Sequence, residues 1–77
     1  MERVVVLTRP GCHLCDDALA VVERVCAETG EPYRVVDIDA DEALRARWND
    51  DVPVVLVDGN PVARWWVTPE RLGGALR

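Results

Sequence analysis

The stretch that most limits what this chain can become is Pro10-Gly11-Cys12-His13-Leu14-Cys15. Before it stands Val4-Val5-Val6-Leu7, apolar and mostly β-branched without alternation, the pattern of a strand covered on both faces. After it Leu14, Ala18, Val21, Val22 and Val25 recur at helical spacing, which predicts a helix from His13 to about Glu28. Two cysteines therefore stand where a strand hands over to a helix. At that point the free N–H groups and the positive end of the helix stabilise a thiolate. Such a dithiol can close into a small disulfide, and the rest of the chain reads as its scaffold.

The 77 residues, 49% of them hydrophobic, allow one domain (1–77) with one modest core. A chain this short buries roughly 60% of its unfolded surface, so its stability is marginal. The net charge is -5 and every basic residue is an arginine. No basic patch with interleaved aromatics stands out, which argues against a nucleic-acid partner. The longest uninterrupted apolar run, Ala18 to Val22, is too short to span a bilayer, and Met1-Glu2-Arg3 does not open a secretory signal. A cytoplasmic location, no membrane association and a monomer are the expectations. Three cysteines in a reducing compartment point to redox or metal chemistry at the C-x-x-C pair rather than to a structural disulfide framework.

Further along, Gly30 with Pro32 beyond it marks a helix stop. Tyr33 to Ile38 reads as a second strand, joined to the first in parallel through a right-handed crossover. The acidic run Asp37 to Glu42 reads as a solvated loop and helix start. Asp39 or Asp41 caps a short second helix that ends near Trp48, which closes that helix onto the sheet. After the turn-like Asn49-Asp50-Asp51, Val52 to Val57 predicts a third strand with proline near its start, where a missing N–H is tolerable. Asp58-Gly59 is a hairpin signal, since both central turn positions need positive φ. Asn60-Pro61 reads as a continuation of that loop, and Val62 to Val67 as the fourth strand. Thr68-Pro69-Glu70 supplies an N-cap, a proline at the first helical position and an acid in the first turn. The last helix looks weak because Gly73-Gly74 interrupts it.

This order, βαβαββα, is that of a thioredoxin-like α/β fold with a four-stranded mixed sheet flanked by helices. Val4 to Cys15, then Asp51-Val52-Pro53, then Val57-Asp58-Gly59-Asn60-Pro61 together make the chain resemble a small glutaredoxin-like protein of the thioredoxin superfamily. The resemblance covers almost the whole chain, and the dithiol with a later valine-proline is its most specific part. It implies a cis Val52–Pro53 bond facing the cysteines, with Val52 and Pro53 on the substrate side and Arg9 as the basic residue three positions before the first cysteine. Glutaredoxins also carry a double glycine followed by acidic residues after the last strand, which hold the γ-glutamyl end of glutathione. Arg64-Trp65-Trp66-Val67-Thr68-Pro69-Glu70 stands there instead. Glutathione thus stays an open co-substrate, with no cofactor expected to be bound.

The implied activity is thiol-disulfide exchange, in which Cys12 attacks the disulfide of a protein or of a low-molecular-weight thiol compound and Cys15 resolves the mixed disulfide. A reductase or thiol of unspecified kind recycles the pair. Asp16 and Asp17 place negative charge beside Cys15 and favour its protonated thiol. His13 either supports the Cys12 thiolate or is a solvated imidazole. Leu14 presents apolar surface beside the pair. Arg9 either attracts an anionic group or is simply solvated. Cys26 is about three helical turns beyond Cys15, on the order of 16 Å away, and reads as a small buried residue. Trp65 and Trp66 point to opposite faces if they lie in a strand, so at most one is core. The exposed one either lines a docking surface or packs on the terminal helix. Two alternatives remain: an iron–sulfur or metal carrier, and a redox-inactive interaction module. A structural zinc needs four ligands, and the local set is only Cys12, His13 and Cys15, so no metal ligand is assigned.

Overall fold

The computed structural model describes residues 2–77. Its elements run β1 (Val4–Thr8), α1 (His13–Thr29), β2 (Tyr33–Asp37), a 3-10 turn (Ile38–Ala40), α2 (Glu42–Trp48), β3 (Val54–Val57), β4 (Asn60–Arg64) and α3 (Pro69–Ala75). The sheet order is β2-β1-β3-β4, with β1 parallel to β2 and antiparallel to β3, and β3 antiparallel to β4. The expected mixed four-stranded α/β architecture is the one observed.

Side-chain alternation along the central strands divides the core in two. Val4 and Val6 of β1 and Val55 and Val57 of β3 face a cluster that includes Ala18, Val22 and Val25 of α1 and Leu72 of α3. Leu7 and Val54 face the other side, against Ile38 and Trp48. Because both faces are covered, β1 has no need of a polar alternate, which explains its unbroken apolar run. Trp48 is buried as expected, and the guanidinium groups of Arg47 and Arg64 sit 4.8 and 5.4 Å from its ring centre. Ile38 is fully buried, so the acidic run is not all solvated: the strand stops at Asp37 and the 3-10 turn drops Ile38 into the core.

Local chemistry sets most of the boundaries. Gly30 ends α1 in the left-handed conformation at φ 75°. Asp41, rather than Asp39, caps α2 by accepting hydrogen bonds from the N–H groups of Ala43 and Leu44. Thr68 caps α3 by accepting from the N–H of Arg71. The α3 helix continues through Gly73 and Gly74, against the expected interruption, because Leu72 anchors it in the core.

The fourth strand is where the expected boundaries fail. Asp58 and Gly59 both have positive φ, 53° and 84°, so the turn closes in two residues. Asn60 pairs directly with Val57 and Pro61 with Leu56, and neither belongs to a longer loop. Pro61 is accommodated because β4 is an edge strand with an irregularity at this point. Starting early, the strand ends early, at Arg64. Trp65 follows with φ 68°, outside the strand. Neither tryptophan is core, and both are exposed. The third strand likewise starts at Val54, leaving Val52 and Pro53 just before it.

At the far end of the sheet, Arg3 holds three pieces together. Its guanidinium makes a two-pronged contact to Asp58 at 3.0 and 3.1 Å and reaches Glu31 at 3.0 Å and the Leu76 carbonyl at 3.3 Å. Asp58 is correspondingly held below the usual carboxylate pKa by its hydrogen bond to Arg3, against a smaller opposing effect of desolvation.

Candidate active site

The C-terminal ends of β1 and β2 and the N-terminal end of β3 lie along one edge of the sheet, since Leu7 pairs with both Val36 and Val54. The edge where parallel strands end is the usual place for a ligand site in an α/β fold. Everything from Arg9 to Cys12 therefore emerges beside the segment that precedes β3. Gly11 turns the chain there with φ 74°. Cys12 is extended, at φ -98° and ψ 110°, and is the N-cap of α1. Its sulfur accepts a hydrogen bond from the N–H of Cys15 at 3.1 Å, and its carbonyl accepts one from the N–H of Asp16. A sulfur thus fills the place where a serine or aspartate oxygen usually caps a helix.

Cys12 and Cys15 are joined in a disulfide, with Cα atoms 5.2 Å apart. The two ends differ in access. Cys15 is 2% exposed on the core side of α1, whereas Cys12 is only half-buried. His13, Leu14, Asp16 and Asp17 are all exposed around the pair. Pro53 is among the fully buried residues, and the Val52–Pro53 peptide bond is cis. The Pro53 carbonyl accepts a hydrogen bond from the N–H of Trp65 at 2.8 Å, which draws the end of β4 to the same edge.

Cys26, the free cysteine, is 3% exposed on α1. Burial pushes its thiol pKa up, and the nearby Glu31 carboxylate adds to the rise. Among the described residues, no three His, Cys, Asp or Glu side chains gather as a metal site. Among the described residues, too, no helix is long and apolar enough to cross a membrane.

Residues 3–77 match the family described as Glutaredoxin-like domain (DUF836). The chain belongs to that family. The chain is also similar to uncharacterized proteins of Mycobacterium bovis and Mycobacterium tuberculosis, each 33% identical over 75 residues, covering 91% of this chain and 77% of the relative. Among solved structures, the structural genomics target protein XcR50 from X. campestris superposes with a TM-score of 0.77 at 27% identity, over 95% of this chain and 93% of that one. The thioredoxin-like protein BC3987 has a TM-score of 0.64 at 26% identity, over 99% and 96% of the two chains. The glutaredoxin-like resemblance read from the sequence is thereby established, together with the thioredoxin fold. A family member of this kind with a paired Cys12–Cys15 is consistent with oxidoreductase activity.

Sequence reasoning did not find what Arg9 touches. Its guanidinium donates to Asp39 at 2.9 Å and to the side-chain and main-chain oxygens of Asn49 at 2.9 and 3.1 Å. Asp39 is thirty residues away and Asn49 forty, and nothing local signals either contact. Asp50 was also read only as part of a turn, yet its carbonyl accepts a hydrogen bond from the indole Nε1 of Trp65 at 3.1 Å.

Proposed function

We propose that this protein is a thiol-disulfide oxidoreductase whose working group is the Cys12–Cys15 dithiol. The observation that carries the reading is the unequal pair: a half-buried Cys12 sulfur at the start of α1, accepting the Cys15 N–H, bonded to a buried Cys15. A donor already aimed at the Cys12 sulfur, at the positive end of a seventeen-residue helix, favours its thiolate over its thiol. The reduced protein starts the cycle with Cys12 as a thiolate. It attacks one sulfur of a substrate disulfide, forms a mixed disulfide and expels the other substrate sulfur as a thiolate. Cys15 then loses its proton to solvent or to the departing thiolate and attacks the Cys12 sulfur. The second substrate thiolate leaves, the substrate has gained two electrons, and the protein holds the Cys12–Cys15 disulfide. A thiol or a dithiol reductase returns the two electrons.

In this reading Val52 and Pro53 form the substrate side of the site, beside the cysteines, and His13 and Asp16 tune the charge around them. Arg9 acts as a positioning residue, because its guanidinium is committed to Asp39 and Asn49. A thiol such as glutathione would recycle the pair, and a reducing compartment such as the cytoplasm is where the dithiol would work.

Substituting the resolving cysteine tests the assignment of roles. Cys15→Ser, incubated with a disulfide substrate, should accumulate a mixed disulfide through Cys12, visible as an added mass that dithiothreitol removes. Accumulation in Cys12→Ser through Cys15 instead would reverse the roles. If the wild-type dithiol never closes internally in a redox buffer, the dithiol mechanism is wrong.

A further inference from the structure

The large exposed apolar side chains of the described residues are Leu14, Val35, Trp65 and Trp66. All but Val35 lie at the dithiol edge. Trp65 adopts φ 68°, a region that disfavours bulky residues and suits glycine or asparagine. Three contacts hold it there: its N–H on the Pro53 carbonyl, its indole N–H on the Asp50 carbonyl, and the Trp66 ring tilted against it at 6.4 Å. None of them buries the indoles, since Trp65 is 45% and Trp66 67% exposed. Folding alone gives no reason for two open tryptophans in succession, one of them in an unfavourable backbone conformation. Backbone outliers of this sort mark functional surfaces.

Beside the two rings opens a cleft of about 320 Å³, whose lining includes Arg64, Thr68 and Arg71 but no carboxylate. Arg64 is occupied, paired with Asp51 at 3.5 Å and lying over Trp48. Arg71 is not. Its Nε donates to the Val62 carbonyl, and among the described residues no carboxylate pairs with its terminal nitrogens. What sets Arg71 apart is its place, in the lining of a cleft with two exposed indoles and no carboxylate.

We propose that Trp65, Trp66 and Arg71 form a specificity site that docks the polypeptide flanking a substrate disulfide, through an apolar side chain on the indoles and a carboxylate on Arg71. The proposal rests on the thiol-disulfide reading above. Charge complementarity selects the carboxylate, because Arg71 is the free charge in a cleft without acids. Continuity with the dithiol selects a segment of the substrate itself. The Trp65 N–H is bonded to the carbonyl of Pro53, which precedes β3 at the edge where β1 ends and the Cys12 segment begins. A polypeptide occupant fits better than glutathione, which has no apolar side chain to place on the rings. Aromatic and arginine side chains are also the residues that most often dominate protein recognition.

The test compares release of 2-nitro-5-thiobenzoate by the reduced protein from three mixed disulfides of that thiol. One carries 2-mercaptoethanol, one a cysteine peptide with adjacent Leu and Asp, and one the same peptide with Lys for Asp. The Leu-Asp peptide should react about tenfold faster than the mercaptoethanol compound and faster than the Lys peptide, a difference of about 1.4 kcal/mol. Trp66→Ser and Arg71→Gln, each checked for native folding by circular dichroism, should bring the peptide-to-mercaptoethanol ratio close to one. A ratio near one in the wild type, or a ratio kept in both variants, overturns the docking site while leaving the exchange reading intact. No release from any of the three overturns the exchange reading. Docking is then decided by tryptophan fluorescence with the Leu-Asp peptide carrying serine for cysteine. Saturable binding that Arg71→Gln weakens supports the site, and no binding up to millimolar peptide overturns it.

Discussion

Arg9→Ala distinguishes a brace from a charge aimed at the reaction. In the structure the Arg9 guanidinium spans three segments, joining the loop before α1 to Asp39 in the 3-10 turn and to Asn49 just after α2. The ion pair to Asp39 is short at 2.9 Å, but both side chains are about a third exposed. Solvent therefore limits it to roughly 0.5–1 kcal/mol. The two hydrogen bonds to Asn49 each add on the order of 0.5 kcal/mol at this exposure, the low end of the net range. Removing the side chain should thus cost about 1.5–2 kcal/mol. For a domain of this size each kcal/mol moves Tm by roughly 4–8 °C, so the oxidised variant should melt on the order of 10 °C lower. Arg9→Lys should recover about half of that loss, since an ammonium cannot bridge Asp39 and Asn49 as the planar fork does. Raising salt to 1 M should narrow the gap by the ion-pair share only, because the Debye length falls to about 3 Å. Thermal unfolding followed by circular dichroism reads all three. The companion measurement is the pH dependence of Cys12 alkylation in the reduced protein. If Arg9→Ala melts with the wild type while the Cys12 profile moves to higher pH, Arg9 serves the thiolate and the brace is refuted.

Leu72→Ala removes a fully buried side chain from the core between α3 and the sheet. A loss of 2–5 kcal/mol is expected, a large part of the stability of so small a domain, and the denaturant midpoint should fall accordingly. Cys26 supplies a pH signature. Its pKa is raised in the folded state by burial and by Glu31. The native protein then binds more protons than the unfolded chain at alkaline pH, so its stabilising contribution is complete below the unfolded cysteine pKa of about 8.5 and is lost as pH rises from there towards the folded value. Oxidised wild type should therefore lose Tm on that side, and Cys26→Ala should flatten the decline. An equal decline in the variant would assign it to other groups.

Much of this protein could be read locally. The helix over α1 follows from apolar spacing, its stop from Gly30, the cap of α3 from Thr68 and the turn from Asp58-Gly59, while the cap of α2 is narrowed to Asp39 or Asp41. Each depends on residues within a few positions of one another, so short-range sequence signals suffice. The dithiol was legible for the same reason, as both its cysteines and the helix they begin are one contiguous stretch. Even the unbroken Val4–Leu7 run announced a strand covered on both faces, and Ala18 and Val22 now cover one of them.

The features that shape the surface around the dithiol were decided at longer range. The two-residue turn pairs Asn60 with Val57, and this register ends β4 at Arg64. A shift of strand pairing cannot be inferred from composition, because the same residues satisfy either register until the turn geometry is known. That shift put Trp65 and Trp66 outside the strand, where hydrogen bonds to Pro53 and Asp50 hold Trp65 at the active edge. Arg9 likewise found Asp39 and Asn49 only after β1, the 3-10 turn and α2 had been packed together. The sequence by itself determined the cysteine pair and the elements that carry it. Tertiary structure decided which distant side chains stand around that pair, since packing of the sheet and helices sets those distances.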